Sequence, residues 1–285
     1  MTVFQGSLKM SKIGFIGAGN MAQAIINGII NAKVYKPADI FLTDIRTDRI
    51  KQLCKQYKTK SAADNRQLVK AVDIVVLSVK PQNFPQVLDD IKTAVGKKHL
   101  IISIAAGITT SRIQNSLGNV PIVRVMPNTP ALIGEGAAGM FATTGSTSSP
   151  QAKSRLKQVE KIFSAVGIVE VVKNEKLLDA VTAVSGSGPA YFFLMMEAMI
   201  KAGIKLGLER ETAEKLVLQT AKGAGILAAD SAGKGISPDV LRKNVTSPGG
   251  TTEAALKVFA KRNFEKIVND AIAAAADRSK ELSER

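Results

Sequence analysis

The clearest chemical signal in this 285-residue chain lies in its backbone rather than in reactive side chains. Gly17-Ala18-Gly19-Asn20-Met21-Ala22 is a G-x-G-x-x-A turn that follows the apolar run Ile13-Gly14-Phe15-Ile16 and opens a helical pattern. In that setting Gly17 permits a tight turn, Gly19 lets the main chain approach a pyrophosphate, and small Ala22 allows close helix packing. The N–H groups of the first helical turn then face the anion. An acid, Asp44, ends the next apolar run 25 residues after Gly19, where a carboxylate accepts hydrogen bonds from ribose hydroxyls. These positions predict a dinucleotide site, and the charge of Asp44 argues for NAD over NADP. At about 4 Å and an effective dielectric near 20, it would repel a 2′-phosphate by roughly 4 kcal/mol before solvent reduces the figure. Arg46 or Arg49 can offset that repulsion, so both NAD and NADP are expected to be usable.

A nicotinamide enzyme acting on an alcohol usually needs a general acid/base, most often histidine. The single histidine, His99, stands in Lys97-Lys98-His99-Leu100 at the entry of an apolar run, the end of a strand remote from a cofactor crevice. A structural role is expected for it. Lysine-dependent hydroxyacid dehydrogenases place a lysine on the helix after a glycine-rich start, but the helix after Ser185-Gly186-Ser187-Gly188-Pro189 has none before Lys201. A substrate that enters already protonated fits this inventory better than an alcohol does. Two further glycine-rich helix starts, at Ser185 to Tyr191 and at Ser247-Pro248-Gly249-Gly250-Thr251-Thr252, offer unpaired N–H groups at a positive helix end, a receptor for a carboxylate. Alone, Ser185 and Ser247 would be helix caps and turn residues; behind a cofactor domain, substrate binding is the better reading.

Composition narrows the field. The chain carries 39 Lys plus Arg against 24 Asp plus Glu, a formal +15, with one cysteine, Cys54, and no tryptophan. One cysteine excludes an internal disulfide framework, and with one histidine no His/Cys zinc cluster can form, so no metal is expected. A reducing, cytoplasmic setting fits. No apolar stretch reaches the roughly 20 residues that a bilayer span needs. Residues 1–172 hold 22 basic and 10 acidic residues, a net +12, whereas 173–285 carry a net +3. The lysines are scattered, aromatics are 5% of the chain, and no recognition motif accompanies them, so nucleic acid is not an expected partner. Positive potential that steers an anionic cofactor and a carboxylate substrate is the alternative to a merely solubilising surface.

The elements that must position these residues follow from periodicity. Apolar runs at 12–16, 40–43, 74–79, 100–104 and 122–125 alternate with amphipathic stretches at 21–32, 48–57, 84–95 and 110–117, the pattern of a doubly wound, mainly parallel α/β Rossmann sheet. Runs at 137–141 and 168–172 with a helix at about 150–164 extend it, and 143–149 is a polar loop. After Lys173 the chain turns Ala-, Leu- and Met-rich, predicting helices at about 175–184, 189–207, 211–231, 237–245, 250–262 and 264–282. The expected division is a dispensable tail at 1–11, a NAD(P)-binding domain at 12–172 and an all-α domain at 173–285. Tyr191-Phe192-Phe193-Leu194-Met195-Met196 is apolar on every face of its helix, which suits an interface between subunits.

Taken together, Gly14 to Met21, Ser78-Val79-Lys80-Pro81, Ser103-Ile104-Ala105-Ala106-Gly107, Met126-Pro127-Asn128-Thr129-Pro130, Ser185 to Tyr191 and Ser247 to Thr252 resemble pyrroline-5-carboxylate reductase, in order and over essentially everything after Met10. The resemblance implies reduction of the cyclic imine 1-pyrroline-5-carboxylate to L-proline by NADPH or NADH, the last step of proline biosynthesis. Hydride would go to the C=N carbon of the protonated imine. It implies a helical domain that interlocks in homodimers, often assembled to a decamer. It assigns cofactor contacts to Ala18, Asn20, Met21, Thr43, Asp44, Asn65, Val79, Lys80, Ala105, Ala106 and Gly107, beside Gly17 and Gly19 from the glycine motif and Arg46 from the charge argument. Thr252 matches a threonine whose hydroxyl meets the ring nitrogen, the backbone at Gly250 and Thr251 matches a carboxylate receptor beside Ser247, and Glu175 resembles an acid near the substrate. The rivals are a hydroxyacid-type dehydrogenase and a dinucleotide-sensing module without catalysis.

Overall fold

The computed structural model describes residues 11–143 and 150–284; the expected tail up to residue 10 and most of the polar loop at 143–149 lie outside them. Among the described residues, eight strands form one sheet: β1 (Ile13–Ile16), β2 (Ile40–Thr43), β3 (Lys60–Ser61), β4 (Ile74–Leu77), β5 (Leu100–Ser103), β6 (Ile122–Met126), β7 (Gly136–Ala142) and β8 (Gly167–Val171). Their order is β3-β2-β1-β4-β5-β6-β7-β8. Every neighbouring pair is parallel except β6 with β7, where Val125 lies opposite Met140. Parallel strands need crossovers, and helices on both faces bury both sets of alternating side chains. In β4, Ile74 and Val76 join the cluster under α1 (Asn20–Asn31), α2 (Thr47–Tyr57) and α6 (Pro150–Ser164), while Val75 and Leu77 join that under α3 (Asn65–Ala71), α4 (Phe84–Ile91) and α5 (Thr110–Leu117).

The strand order reverses between β1 and β4, which places a crevice at the carboxyl ends of those strands, where open α/β sheets bind ligands. The doubly wound, mainly parallel layout expected from the sequence is thus present. Two elements escaped the periodicity. β3 is two exposed residues long, and α3 is a short helix capped by Asp64, whose carboxylate accepts the N–H of Gln67 at 2.7 Å.

Beyond the sheet the chain is helical: α7 (Leu177–Val181), a π turn at Thr182–Gly186, α8 (Gly188–Lys205), α9 (Arg210–Ala232), α10 (Pro238–Asn244), α11 (Thr251–Lys261) and α12 (Phe264–Glu284). Two compact units result. One runs through the described residues to Ser187 and resumes from Ala275 onward; the other is Gly188–Ala274. The break falls later than the change in composition at Lys173, because α7 and the last turns of α12 pack with the sheet unit: buried Asp179 accepts the hydroxyl of Ser279 at 2.7 Å.

Candidate functional site

In the sheet unit the glycine turn stands at the strand-order reversal. Gly17 has φ +98°, and a Cβ on it would lie 2.7 Å from the carbonyl oxygen of Ser78, so both the backbone conformation and the space demand glycine. Its N–H donates to the carbonyl of Thr43 (2.8 Å), and the Ser78 hydroxyl donates back to the Gly17 carbonyl (2.7 Å), knitting the ends of β1, β2 and β4 together. Gly19 is different. A Cβ there would meet nothing within 4 Å, and α1 starts immediately after it with neither a side-chain cap nor an acid in its first turn. Open space above Gly19 and uncapped N–H groups at Asn20 and Met21 fit a dinucleotide pyrophosphate.

The residues expected to surround the remainder of a dinucleotide lie about the same crevice. Asp44 follows β2 and accepts the N–H of Ala18 at 2.7 Å, joining acid and turn directly. Burial alone would raise its carboxyl above the usual carboxylate range, but hydrogen bonds from the Arg46 guanidinium and from the N–H groups of Ala18 and Arg46 outweigh it, and the net direction is downward. Thr43 donates to the Asn65 side-chain oxygen (2.8 Å), whose amide donates to Asp90 (3.2 Å), so Asn65 is fixed at the start of α3. Val79 is half-buried and Lys80 exposed after β4; Ala105 and Gly107 are buried after β5, with Ala106 half-buried between them. Arg49 was foreseen as a possible counter-charge, yet its guanidinium turns under the turn to the Ala18 carbonyl (3.1 Å), Gln52 (2.9 Å) and Gln23.

Glu175 has a definite place. Its carboxylate accepts the N–H (2.7 Å) and hydroxyl (2.5 Å) of Thr110 and one N–H of Arg124 (3.1 Å), a residue 3% exposed. It therefore ties the start of α5, just past Ala105-Ala106-Gly107, to β6. Sequence reasoning missed Thr110 and Arg124, since nothing local links them to Glu175. His99 is 1% exposed: its Nδ1 accepts the Gly96 N–H (2.9 Å), which leaves Nε2 to donate to the Val69 carbonyl (3.1 Å), a structural histidine as expected.

The two other glycine-rich segments part company. The segment at Ser185 is no open helix start. The N–H of Ser187 is spent on the Thr182 carbonyl (2.8 Å), closing the π turn, and the Ser185 hydroxyl donates to the Ala137 carbonyl (2.8 Å). Asn128 completes this joint, donating to Ser185 and accepting the Ala137 N–H at 2.9 Å. Glycine and serine density cannot distinguish a joint between helices from a free helix end.

The segment at Ser247, in the helical unit, does open a helix. Gly250 precedes α11 with no side-chain cap, and a Cβ there would come within 2.5 Å of the Ser247 hydroxyl. The Gly249 N–H is taken by Glu253 (3.0 Å) and that of Gly250 by the Ser247 carbonyl (3.0 Å). Helix geometry leaves the N–H groups of Thr251 and Thr252 without partners inside the helix. Thr252 is half-buried in this unit, Thr251 exposed. Among the described residues no group of three or more His, Cys, Asp or Glu could hold a metal.

Known proteins share this arrangement. Residues 175–282 match the model for pyrroline-5-carboxylate reductase dimerisation, and residues 12–107 match that for NADP oxidoreductase, coenzyme F420-dependent. A pyrroline-5-carboxylate reductase from Pseudomonas aeruginosa is 45% identical over 275 residues, covering 96% of this chain and 97% of that one. Among solved structures, the reductase from Coxiella burnetii superposes with a TM-score of 0.87 at 42% identity, covering 96% and 99%. A Plasmodium falciparum pyrroline carboxylate reductase with NADP bound reaches 0.81 at 34% identity, covering 96% and 98%. A glycine turn at the strand reversal, followed by a helical unit with an uncapped amide end and matched along nearly its whole length by such relatives, places the chain in the pyrroline-5-carboxylate reductase family.

Proposed function

We propose that this chain reduces 1-pyrroline-5-carboxylate to L-proline with NADPH or NADH, the closing step of proline biosynthesis. Near-complete coverage at 45% identity carries the reading, and the turn at Gly17–Gly19 with its open, uncapped helix start supports the cofactor half. When bound, a reduced nicotinamide supplies hydride for the C=N carbon. The turn shaped by Gly17, Ala18 and Gly19 brings the uncapped N–H groups of Asn20 and Met21 to the pyrophosphate. Thr43, Asp44, Arg46 and Asn65 line the adenosine side, and Val79, Lys80, Ala105, Ala106 and Gly107 line the crevice beyond it. Glu175 contributes by fixing the start of α5 beside that last loop.

The free N–H groups at Thr251 and Thr252, with Ser247 and Gly250 shaping their turn, receive the carboxylate. The Thr252 hydroxyl positions the ring nitrogen, accepting from the protonated imine and afterwards from the amine of proline. No strong base is needed, because the substrate arrives with its proton and its charge is neutralised as it is reduced. Orientation supplies most of the acceleration; preorganising two reactants is worth roughly 7 to 11 kcal/mol.

Residues 12–172 act as the cofactor domain and 173–285 as the dimerisation and substrate domain of a cytoplasmic homodimer, itself assembled to a decamer. The matched dimerisation family supports the dimer. Among the described residues no helix is long and apolar enough to cross a membrane.

The test is oxidation of NADH and NADPH by the purified chain with pyrroline-5-carboxylate, compared with Thr252→Ala. Losing a hydrogen bond to a charged group costs about 1.5–3 kcal/mol, so kcat/KM should fall about 10- to 150-fold with the far-ultraviolet circular dichroism unchanged. Turnover equal to wild type removes Thr252 from the scheme; no imine-dependent oxidation by the wild type removes the scheme itself.

A further inference from the structure

Within the sheet unit, the loop Ala105-Ala106-Gly107 is held from two directions by distant parts of the chain. Downstream of it, Glu175 grips Thr110 and Arg124. Against the loop itself lies the end of α12. Gly107 has φ +72°, and a Cβ on it would lie 2.9 Å from the Cβ of Leu282 and 3.0 Å from both the carbonyl carbon and oxygen of that residue. Helix backbone therefore rests on the loop more closely than any side chain at 107 would allow. Leu282 is 40% exposed, so the contact belongs to the helix end rather than to the isobutyl group.

Ser279, one turn earlier on the same face, seats that helix end. It is 3% exposed, and its hydroxyl donates to Oδ1 of Asp179 (2.7 Å), itself 8% exposed. A carboxylate so buried is costly unless it is bonded, which gives this one hydrogen bond weight. Half-buried Ala275 and Ala276 continue the stripe with side chains small enough for close packing. The charged residues of the segment are exposed and pair with one another, Arg278 with Glu281 (2.5 Å) and Lys280 with Asp277 (3.0 Å). Asp179 follows Glu175 by four residues, so the short segment around α7 anchors both the start of α5 and the end of α12.

Building on the cofactor site proposed above, we infer that the last turns of α12 brace the nicotinamide side of that site, with Ser279 and Leu282 as positioning residues for the Ala105–Gly107 loop. The loop meets the cofactor through its backbone, and a backbone contact is only as precise as the support beneath it. The adenosine side has other supports: Asp44 is tied to Ala18, and Thr43 to Asn65 and through it to Asp90. Unseating α12 should therefore weaken the grip on one half of the dinucleotide and spare the other.

Isothermal calorimetry of the full-length chain with NADH and with ADP-ribose, which lacks the nicotinamide, tests this without imine and apart from turnover. Leu282→Pro breaks the last turn without adding charge; it should raise the NADH Kd about tenfold or more and leave ADP-ribose within about threefold of wild type. Ser279→Ala should act in the same direction by about three- to tenfold on NADH, and it decides the point should Leu282→Pro not fold. Leu282→Ala keeps the Cβ and the helix backbone and should stay within about twofold of wild type for both ligands. An unchanged NADH Kd in Ser279→Ala, equal weakening of NADH and ADP-ribose, or a loss in Leu282→Ala as large as in Leu282→Pro each overturns the inference. Failure of the wild type to bind either ligand is a separate result, and it overturns the cofactor site together with the brace.

Discussion

The sheet unit and the helical unit place the same kinds of side chain in opposite situations. Phe15, Ile25 and Ile26 are 0% exposed and Phe163 is 1% exposed, closed between the sheet and its covering helices. In Gly188–Ala274, Phe192, Phe193 and Leu194 are 68%, 61% and 66% exposed, and the buried apolar residues are Ala213 and Val217. The sheet unit builds a core of fully buried large side chains within the chain. The other leaves consecutive residues of α8 open on several faces, so another surface must cover them. That is the physical content of a dimerisation domain: its core is shared between chains, and stability and assembly become one equilibrium.

Paired substitutions can break this comparison. Phe15→Ala removes a fully buried ring and should cost about 3–5 kcal/mol, lowering the thermal midpoint by a similar amount at every protein concentration. Phe193→Asp should act through association instead. Burying such a side chain is worth about 1.5–3 kcal/mol, so the subunit dissociation constant should rise about 10- to 150-fold. Sedimentation would show lighter species, and specific activity would fall on dilution at concentrations where wild type is unaffected. An unaltered mass for Phe193→Asp, or a midpoint shift as independent of concentration as that of Phe15→Ala, would mean that the helical unit has its own core after all.

The sequence revealed the two units unequally, for the same reason. Strands covered on both faces read as continuous apolar runs, so β1, β2, β4, β5 and β6 were visible to within a residue or two. Exposed Lys60 and Ser61 carry no such pattern, and β3 was invisible. Helix α3 did have a signal: Asp64-Asn65-Arg66-Gln67 is the polar spacing of a helix start, realised in the Asp64–Gln67 hydrogen bond. At the site, backbone-determined features were legible, above all Gly17 and the open amide end at Thr251 and Thr252. Contacts across long sequence separations were not. Glu175 with Thr110 and Arg124, and Asn128 with Ser185, are brought together by strand order, which no local spacing encodes.

The smallest effect expected sharpens the comparison from the electrostatic side. Asp44 belongs to the buried architecture of the sheet unit, whereas Glu197 and Asp239 of the helical unit pair with Lys201 and Lys243 on open helix surfaces, where ion pairs contribute little. The folded state holds the Asp44 carboxyl below its ordinary value of 3.8. Its contribution to stability is therefore complete above that value and is lost as pH falls through the lowered one, since the unfolded chain takes up the proton first. Wild type and Asp44→Asn should differ in thermal midpoint by a constant margin from neutral pH down to about pH 5, and the margin should close on further acidification. Glu197, held low by Lys201 alone on an exposed surface, should give a much smaller closing margin in Glu197→Gln. If the two substitutions gave the same pH dependence, Asp44 would be no more than a surface ion pair and its grip on the glycine turn would be incidental.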